Sequence, residues 1–490
     1  MRGPDAESPG LKAATVSGVR WIGAAQLIRQ AVVVVSGLLI ARWVGPGPAG
    51  VVALANSVMN FANLFKDAGT TAALLQARDP SPRLVSSLFW LNASLGLGLT
   101  ALLAALAWPL AHFTHEPSLT GVLAALALVL LLSSACSVQS VLLERAMAYR
   151  GMAIVDAISA IAGCIVGVAG ARAGWTHWSL VAQALVQGLL ACVGTWTLAR
   201  YRPRLVVDTG ELRTVMGFST DLMTSNGLNY IQRNADNFVV QHALGTVATG
   251  IYTRAYLALV QPLQQVCAVM GRIAHPVLLR VRDEPERFAS IWLRLVGTMA
   301  VASFPLSLGL AAVAPEFTRG VLGPAWEPAI PLLRLFSCMG LMQSLMTMSA
   351  AVVQVRGRSD LMLRHALVMT PILLGSFLFG VQWGLLGITL AQVIASSVSA
   401  TAFVWLTLRL AGVGWLRLWD AVKRPLIVSG TSCGLVALTG PLLPTGWAEL
   451  TRLGLLVGEG VLLYVLATWM LNREQALELL ELARSRPSRA

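Results

Sequence analysis

The feature that most constrains this chain is a regular alternation of long apolar stretches with short polar gaps. About fourteen stretches approach the 17–25 residues that a membrane-spanning helix needs. They begin near Gly18, Pro48, Leu84, Leu119, Gly151, Trp178, Phe218, Val247, Ile291, Glu327, Leu361, Leu385, Pro425 and Glu449. The pattern predicts an all-α integral membrane protein in which nearly the whole polypeptide lies in a bilayer.

Basic residues collect in every second gap between these stretches. Six of the gaps, together with the two termini, hold 27 of the 36 Lys and Arg residues, whereas the other seven gaps hold four. The six basic gaps open near Arg78, Arg145, Arg200, Arg272, Arg356 and Arg409. Because basic residues flank membrane spans on the cytoplasmic side, this bias predicts that these gaps and both termini are cytoplasmic.

The composition excludes several classes of protein. A hydrophobic fraction of 56% and a mean hydropathy of +0.70 are far above the values of a soluble domain. The net charge of +13 is spread over short membrane-flanking loops, which indicates contact with membrane lipid and no nucleic-acid partner. The chain has no phosphate-binding loop ending in Gly-Lys-Ser/Thr and no loop long enough to hold a catalytic domain. These two features predict that the protein is not an enzyme. Its six cysteines are isolated, so we expect no metal site and no disulfide.

Two short segments 200 residues apart share a pattern of glycines. Gly45 and Gly50 follow the first span, and Gly245 and Gly250 follow the seventh. An offset of six spans preserves the direction in which the chain crosses the membrane. The pattern therefore predicts two parallel repeats related by an axis along the membrane normal.

The repeat predicts two six-helix lobes, residues 15–200 and 214–410, around a central cavity. The polar gap between them carries Pro203 and six charged residues, which suits a lobe boundary. Two further spans over residues 424–471 fall outside the repeat, and residues 472–490 form a predicted cytoplasmic tail. Close helix packing is expected at the glycines of the fifth span, Gly163, Gly167, Gly170 and Gly174.

Four of the predicted spans carry polar side chains on one helix face. Span two has Asn56, Asn60, Asn63 and Asp67 at helical spacing. The other three contribute Gln26, Arg29 and Gln30 from span one, Asp221, Asn229, Arg233, Asp236 and Asn237 from span seven, and Arg254 and Gln261 from span eight. A charge at the bilayer centre costs from about 3 to more than 10 kcal/mol, so these groups cannot face lipid. We expect them to line a water-filled cavity between the halves.

The charged members of this set are candidate ligands for a substrate and for a coupling ion. Arg29 and Arg254 have no acidic residue one turn away, and an arginine fork matches phosphate oxygens. Arg233 and Asp236 lie three residues apart, which fits either an internal salt bridge or a binding role. Lys66 is interpreted as snorkelling from the end of span two to the interface. The acidic candidates for ion coupling are Asp236, Asp221 and Asp67.

Several of these segments resemble a known family. They are Tyr230–Asn237, Gly250–Tyr256 and Pro262–Gln264, with Gly18–Trp21, Leu39–Arg42, Asn60–Asn63, Asp67–Gly69 and Ala73–Gln76 in the first half. Together they resemble the Wzx-type polysaccharide flippases, particularly the colanic-acid and exopolysaccharide exporter branch, over about residues 15–410. The outer turn Val44–Pro48 lacks the acidic residue that this family often has there.

The resemblance implies a member of the multidrug/oligosaccharidyl-lipid/polysaccharide exporter superfamily. Such a flippase translocates polyprenyl-pyrophosphate-linked oligosaccharide repeat units across the bacterial cytoplasmic membrane by alternating access, for exopolysaccharide or lipopolysaccharide biosynthesis. The resemblance further implies no cofactor, coupling to a proton or sodium gradient, and a polysaccharide polymerase and a chain-length regulator as partners. Arg233 and Arg254 match the family's pyrophosphate-binding arginines by motif, and Arg29 matches by location and helix face.

Two other functions stay open at this point. A drug/cation antiporter of the same superfamily should have unpaired buried carboxylates and few cavity cations, whereas the three candidate arginines at least match the acids in number. A membrane glycosyl polymerase or ligase needs a large outer loop with catalytic Arg or His residues. The predicted outer loops of this chain are short and nearly free of charge, which disfavours that class.

Overall fold

A computed structural model of the protein describes residues 29–30, 32–66, 70–76, 80–444 and 446–471. The predictions on Gln26, on Asp67 and on the tail therefore lie outside the described residues. The side chains of residues 211–233 lie outside them too, so Asp221, Asn229 and Arg233 are known only to be helical.

The described residues form α-helices joined by short turns, with no strand among them. In chain order the helices are α1 (Val32–Val44), α2 (Pro46–Asn63), α3 (Thr70–Gln76), α4 (Pro82–Phe113), α5 (Ser118–Arg145), α6 (Tyr149–Arg172), α7 (His177–Ala199), α8 (Thr209–Arg280), α9 (Pro285–Ala312), α10 (Ala314–Phe317), α11 (Ala329–Val355), α12 (Ser359–Gly380), α13 (Gly384–Ala411), α14 (Trp415–Thr439) and α15 (Glu449–Leu471). α8 is broken at Gly245, and its parts, residues 209–244 and 246–280, are called α8N and α8C.

Nine stretches of the described residues are long and apolar enough to cross a membrane. They are α4, α5, α6, α7, α9, α11, α14, α15 and the joined pair α12–α13. The other predicted spans coincide with α1, α2, α8N and α8C, which are shorter or more polar. The prediction of an all-α integral membrane protein is confirmed.

Large apolar side chains cover the outside of these helices. Ile165, Leu367 and Leu462 are 64%, 61% and 65% exposed, and many others resemble them. A soluble monomer rarely shows contiguous apolar surface on this scale. In a bilayer the same side chains contact acyl chains, and the helical backbone satisfies its own hydrogen bonds, as the hydrocarbon region requires.

The chain divides into two compact units, Met1–Gly250 and Ile251–Ala490. In the first unit the apolar face of α2 packs against α4, α5 and α7. This core contains Leu54, Met59, Leu103, Leu123, Leu126 and Val181. The predicted lobe boundaries, residues 15–200 and 214–410, stay a prediction.

Glycines allow α6 to approach α7 closely within the first unit. A Cβ added at Gly163 would lie 2.8 Å from the Gln183 carbonyl oxygen, and Gly167 and Gly170 are similarly crowded. The predicted packing against another helix is confirmed at Gly163 and Gly167, whereas Gly170 is crowded by the Trp175 ring of the turn after α6. The prediction is wrong at Gly174, which has open space around it and a φ of +81°. Gly174 forms the turn after α6, where a left-handed backbone favours glycine.

The second unit has a core built from α8C, α9, α11, α13 and α14. Trp292 of α9 is buried there, and its Nε1 donates to the Met348 carbonyl of α11 at 3.2 Å. Leu418 and Val422 of α14 belong to the same core. The two helices beyond the repeat are thus integral to this unit.

Candidate functional site

The helix α2 has one buried apolar face and one exposed polar face. Ala55 and Met59 are buried in the core of the first unit, whereas Asn56 and Asn60 are exposed and Asn63 is half-buried. An amide exposed to hydrocarbon would lose its hydrogen bonds with water at a cost of several kcal/mol. Asn56 and Asn60 therefore have to face water or a polar ligand, as the sequence predicts.

The helix α8C is amphipathic in the same way. Ala255 and Leu259 are fully buried in the second unit, whereas Arg254 and Gln261 are half-buried. Arg254 and Gln261 lie about two turns apart, so they share one helix face. The structure thus places two of the predicted site residues on a single partly exposed stripe.

Arg254 contacts an aromatic ring. Its guanidinium carbon lies 6.0 Å from the centroid of Trp326, which is fully buried at the end of a 3-10 turn. Among the described residues, no acidic side chain forms an ion pair with Arg254. A cation–π contact orients the guanidinium while leaving its N–H groups able to bind an anion. Sequence reasoning missed Trp326, because this residue lies far from Arg254 in the chain.

The candidate residues of α8N are described in part. Asp236 is buried, and its Oδ1 accepts the backbone N–H of Asn237 at 2.9 Å. Asn237 itself is half-buried. The side chain of Arg233 lies outside the described residues, so the interpretation of Arg233 and Asp236 as a salt bridge stays untested.

Arg29 has an acidic neighbour that the sequence pattern does not reveal. It is half-buried and interacts electrostatically with Asp156 of α6. The sequence comparison covered only residues one turn away along the same helix and therefore did not reach Asp156. An anion at Arg29 would have to compete with Asp156. Gln30, the next predicted residue, is half-buried.

Lys66 contacts a neighbouring helix. Its Nζ donates to the Ser133 hydroxyl of α5 at 2.6 Å, and the side chain is half-buried. The snorkelling interpretation stays a prediction for Lys66. Packing of the end of α2 against α5 decides where this ammonium group lies.

The two glycine turns have the same backbone geometry. Gly45 has φ 81° and ψ 172°, and Gly245 has φ 82° and ψ −176°. Both φ values lie in the region that glycine alone enters readily. The predicted repeat is confirmed at this turn.

The second glycine of each pair forms a close backbone contact. A Cβ at Gly50 would overlap the carbonyl oxygen of Thr246, and a Cβ at Gly250 would overlap that of Pro46. Each partner has its equivalent 200 residues away, so the contact is nearly symmetric. Glycine is required because any side chain would separate the start of α2 from residues 246–250.

A buried ion cluster joins the two C-terminal helices at the predicted outer end of the second unit. Arg452 lies 3.5 Å from Glu316 and 3.8 Å from Glu449, and it donates to the Gly440 carbonyl at 2.9 Å. Arg452 and Glu316 are only 9% and 6% exposed. The cluster therefore holds α10, α14 and α15 together.

An exposed ion pair lies close to this cluster. Arg319 donates to Glu327 at 2.9 Å, and this hydrogen bond raises the pKa of the Arg319 guanidinium. The prediction of nearly charge-free outer loops missed both features. The few charged residues in these otherwise apolar gaps could have indicated both features, because a charged side chain has to be paired if it is buried.

The described residues contain no group of three His, Cys, Asp or Glu side chains that could hold a metal ion. All six cysteines are free thiols. His112, in the predicted outer loop, stacks on Trp108 at a centroid distance of 5.9 Å.

Comparison with known families identifies the group to which the chain belongs. The family model described as "Polysaccharide biosynthesis protein" matches residues 39–331, which is more than half of the chain. The chain belongs to this family. The match confirms the resemblance to Wzx-type proteins that the motifs indicated.

Several known proteins align with the chain along most of their length. The chain is 22% identical to the lipopolysaccharide biosynthesis protein WzxC of Escherichia coli, over 79% of this chain and 80% of that protein. It is 25% identical to the teichuronic acid biosynthesis protein TuaB of Bacillus subtilis, over 83% and 85%. It is also 25% identical to the succinoglycan biosynthesis transport protein ExoT of Rhizobium meliloti, over 92% of both chains.

Solved structures share the fold at low sequence identity. The lipid II flippase MurJ in an inward closed conformation aligns with a TM-score of 0.70 and 12% identity, over 93% of this chain and 99% of that chain. An inward-facing multidrug resistance transporter of the MATE family aligns with a TM-score of 0.55 and 16% identity, over 79% and 98%. The superfamily fold implied by the motifs is thereby confirmed.

Proposed function

We propose that the protein is a flippase that moves polyprenyl-pyrophosphate-linked oligosaccharide units across the bacterial inner membrane by alternating access. Its family and its many membrane helices support a multi-pass transporter for polysaccharide biosynthesis and disfavour an enzyme. One relative is named a transport protein, and the fold is shared with a lipid II flippase. The lipid-linked substrate is the finer part of the proposal.

The observation that carries the proposal is the environment of Arg254. The guanidinium is held on the Trp326 ring within a membrane-spanning unit, and the described residues offer it no carboxylate. A cation in such a place is costly unless an anion neutralises it during the transport cycle. A pyrophosphate group can do so through charge-assisted, bidentate hydrogen bonds.

The polar face of α2 in the first unit and that of α8C in the second each carry groups that are able to bond sugar hydroxyls. Exposed Asn56 and Asn60 and half-buried Asn63 and Gln261 offer amide donors and acceptors, which are able to bond sugar hydroxyls without a fixed geometry. Arg29 is assigned a secondary role because Asp156 already interacts with it. A cation antiporter would need an excess of carboxylates in place of the positive charge at Arg254.

The proposal is tested by replacing Arg254. Arg254→Ala should bind a polyprenyl pyrophosphate roughly 10- to 100-fold more weakly, since hydrogen bonds to charged groups contribute about 1.5–3 kcal/mol. Export of lipid-linked oligosaccharide per folded molecule should be lost, and Arg254→Lys should recover only part of it. The matched control is Arg409→Ala, which removes another arginine that stacks on an aromatic ring, Trp405 at 3.8 Å.

Two results would contradict the proposal. One is normal binding and export by both Arg254 variants, which would remove the guanidinium from the binding site. The other is equal affinity of the wild-type protein for a polyprenyl pyrophosphate and for an uncharged polyprenol, which would exclude recognition of the diphosphate.

Further parts of the proposal concern the energy source, orientation and partners. A proton or sodium gradient is proposed to drive the cycle, with buried Asp236 as the best described candidate for the coupling group. Asp221 and Asp67 stay candidates from the sequence. Both termini are proposed to be cytoplasmic, and a polysaccharide polymerase and a chain-length regulator are proposed partners on the export route.

A further inference from the structure

The segment between α7 and α8 is extended, and it is fastened to the start of α4. We call residues 200–208 the strap. Five hydrogen bonds join it to α4: Tyr201 Oη with Ser86 Oγ (2.8 Å), Arg204 N to Ser86 Oγ (3.2 Å), Trp90 Nε1 to the Arg204 carbonyl (2.8 Å), Asp208 N to Ser87 Oγ (2.7 Å) and Ser87 Oγ to the Val206 carbonyl (3.5 Å). These bonds give an irregular segment a fixed position at the end of the first unit.

The strap exposes apolar side chains that a water-facing loop would hide. Leu205 is 87% exposed and Val207 is 59% exposed. The backbone around them is held by α4, so neither can turn inward to the core. Both side chains lie near the start of α4 and the end of α7, which is where these two spans meet the surface of the bilayer.

Exposed arginines lie on the strap and at the start of α4, to which the strap is bonded. Arg200, Arg202 and Arg204 of the strap and Arg83 of α4 are all exposed. Within the described part of the chain, none of the four forms an ion pair. The strap therefore combines free guanidinium groups with free apolar groups in one place.

Some exposed arginines elsewhere in the described residues are paired with carboxylates, whereas others, such as Arg280 and Arg282, form no ion pair and have no comparable apolar strap beside them. In the second unit Arg358 bonds Asp360 at 2.9 Å, and Arg287 bonds Glu284 at 3.2 Å. Their charges are neutralised within the protein. The four unpaired arginines at the strap thus leave a local excess of positive charge that an external anion can neutralise.

We propose that the strap is a binding site for the headgroup of an anionic phospholipid. The arginines bind the phosphate through bidentate, charge-assisted hydrogen bonds. Leu205 and Val207 enter the boundary between headgroups and acyl chains, where an apolar side chain gains from burial. A phospholipid contacts both the arginines and the apolar side chains, because it has a charged headgroup and apolar tails. A soluble protein partner would not require these side chains to lie at the level of the bilayer surface. This site is separate from the transport site and does not depend on the substrate carried.

The first test measures lipid affinity by native mass spectrometry of the full chain with phosphatidylglycerol and with phosphatidylcholine. Each arginine near an anionic surface contributes about fivefold to affinity. The double variant Arg202→Gln/Arg204→Gln should therefore bind phosphatidylglycerol about 25-fold more weakly, with little change for phosphatidylcholine. The matched control, Arg280→Gln/Arg282→Gln, removes two exposed arginines from the second unit and should bind like wild type.

A second variant separates the shape of the strap from its charge. Ser86→Ala/Ser87→Ala removes four of the five hydrogen bonds to α4 and leaves every arginine in place. Phosphatidylglycerol affinity should fall at least fivefold because the guanidinium groups are no longer held together. Equal losses in the two arginine double variants, or wild-type affinity in the serine double variant, would reduce the effect to bulk charge and overturn the proposal.

A third measurement asks what covers the apolar side chains. An environment-sensitive fluorophore on Leu205→Cys, in a background lacking the exposed Cys338, should shift to the blue in phosphatidylglycerol vesicles. The shift should shrink as salt screens the arginines. A probe that stays in water in these vesicles would overturn the lipid assignment and favour a soluble protein as the occupant.

Discussion

Replacing Gly50 with alanine tests the backbone contact between α2 and residues 246–250. In an ordinary helix, glycine to alanine stabilises by about 1 kcal/mol. At Gly50 the new methyl group would overlap the carbonyl oxygen of Thr246 and lie 3.0 Å from the backbone nitrogen of Gly250. Backbone atoms cannot move aside by changing rotamer, so the cost falls at the upper end of the usual overpacking range, about 3 kcal/mol. The free energy of unfolding should therefore fall by about 2 kcal/mol.

This change corresponds to a clear shift in thermal unfolding. A unit of up to 250 residues loses about 2–4 °C in Tm for each kcal/mol, so Gly50→Ala should lower Tm by about 4–8 °C. The measurement is the loss of the monodisperse peak of detergent-purified protein on heating. Gly250→Ala should give a similar shift, because a Cβ there overlaps the equivalent carbonyl oxygen of Pro46.

The control is a helix glycine with open surroundings. Gly98 lies in α4 with no atom within 4 Å of an added Cβ, so Gly98→Ala should keep or raise Tm. If Gly50→Ala raised Tm as Gly98→Ala does, the two backbones would not be in contact. The double variant Gly50→Ala/Gly250→Ala should cost less than the sum of its parts, since one displacement relieves both overlaps.

Three further predictions follow from the ion pairs and from the direction of the chain. Arg452→Met should lower the Tm and the folded yield sharply, because leaving the buried Glu316 carboxylate without its partner costs about 3–5 kcal/mol. Adding Glu316→Gln should restore part of the lost Tm, and no recovery would contradict a direct ion pair. Arg233→Gln/Asp236→Asn should regain the folded yield that each single variant loses, but it should still fail to export. Near-wild-type export per folded molecule would instead show that the pair is purely structural. In a Cys338→Ser background, single cysteines are introduced at four positions, and an impermeant thiol reagent is applied from outside. The reagent should label two of these cysteines and leave the other two unlabelled, and labelling on the wrong side would overturn the topology. The labelled pair is Pro117 and Gln382, and the protected pair is Arg202 and Arg282.

The sequence by itself determined the class of fold, because the signal is local. A span has to be long and apolar whatever it packs against, and its backbone has to satisfy its own hydrogen bonds. The repeated spacing of Gly45 and Gly50 and of Gly245 and Gly250 was equally local, whereas the backbone contacts of Gly50 and Gly250 were visible only in the structure. The polar faces of α2 and α8C also follow from helical spacing alone.

Only the tertiary structure decided which groups meet. Asp156 approaches Arg29, Trp326 lies under Arg254, Ser133 accepts from Lys66, and α4 fixes the strap, and each contact joins residues distant in the chain. Helical periodicity tells which side of a helix is polar, but it contains no information on which other helix packs there. That choice depends on the summed packing of many side chains, so the partners of a charge inside a membrane protein emerge only when the helices are assembled.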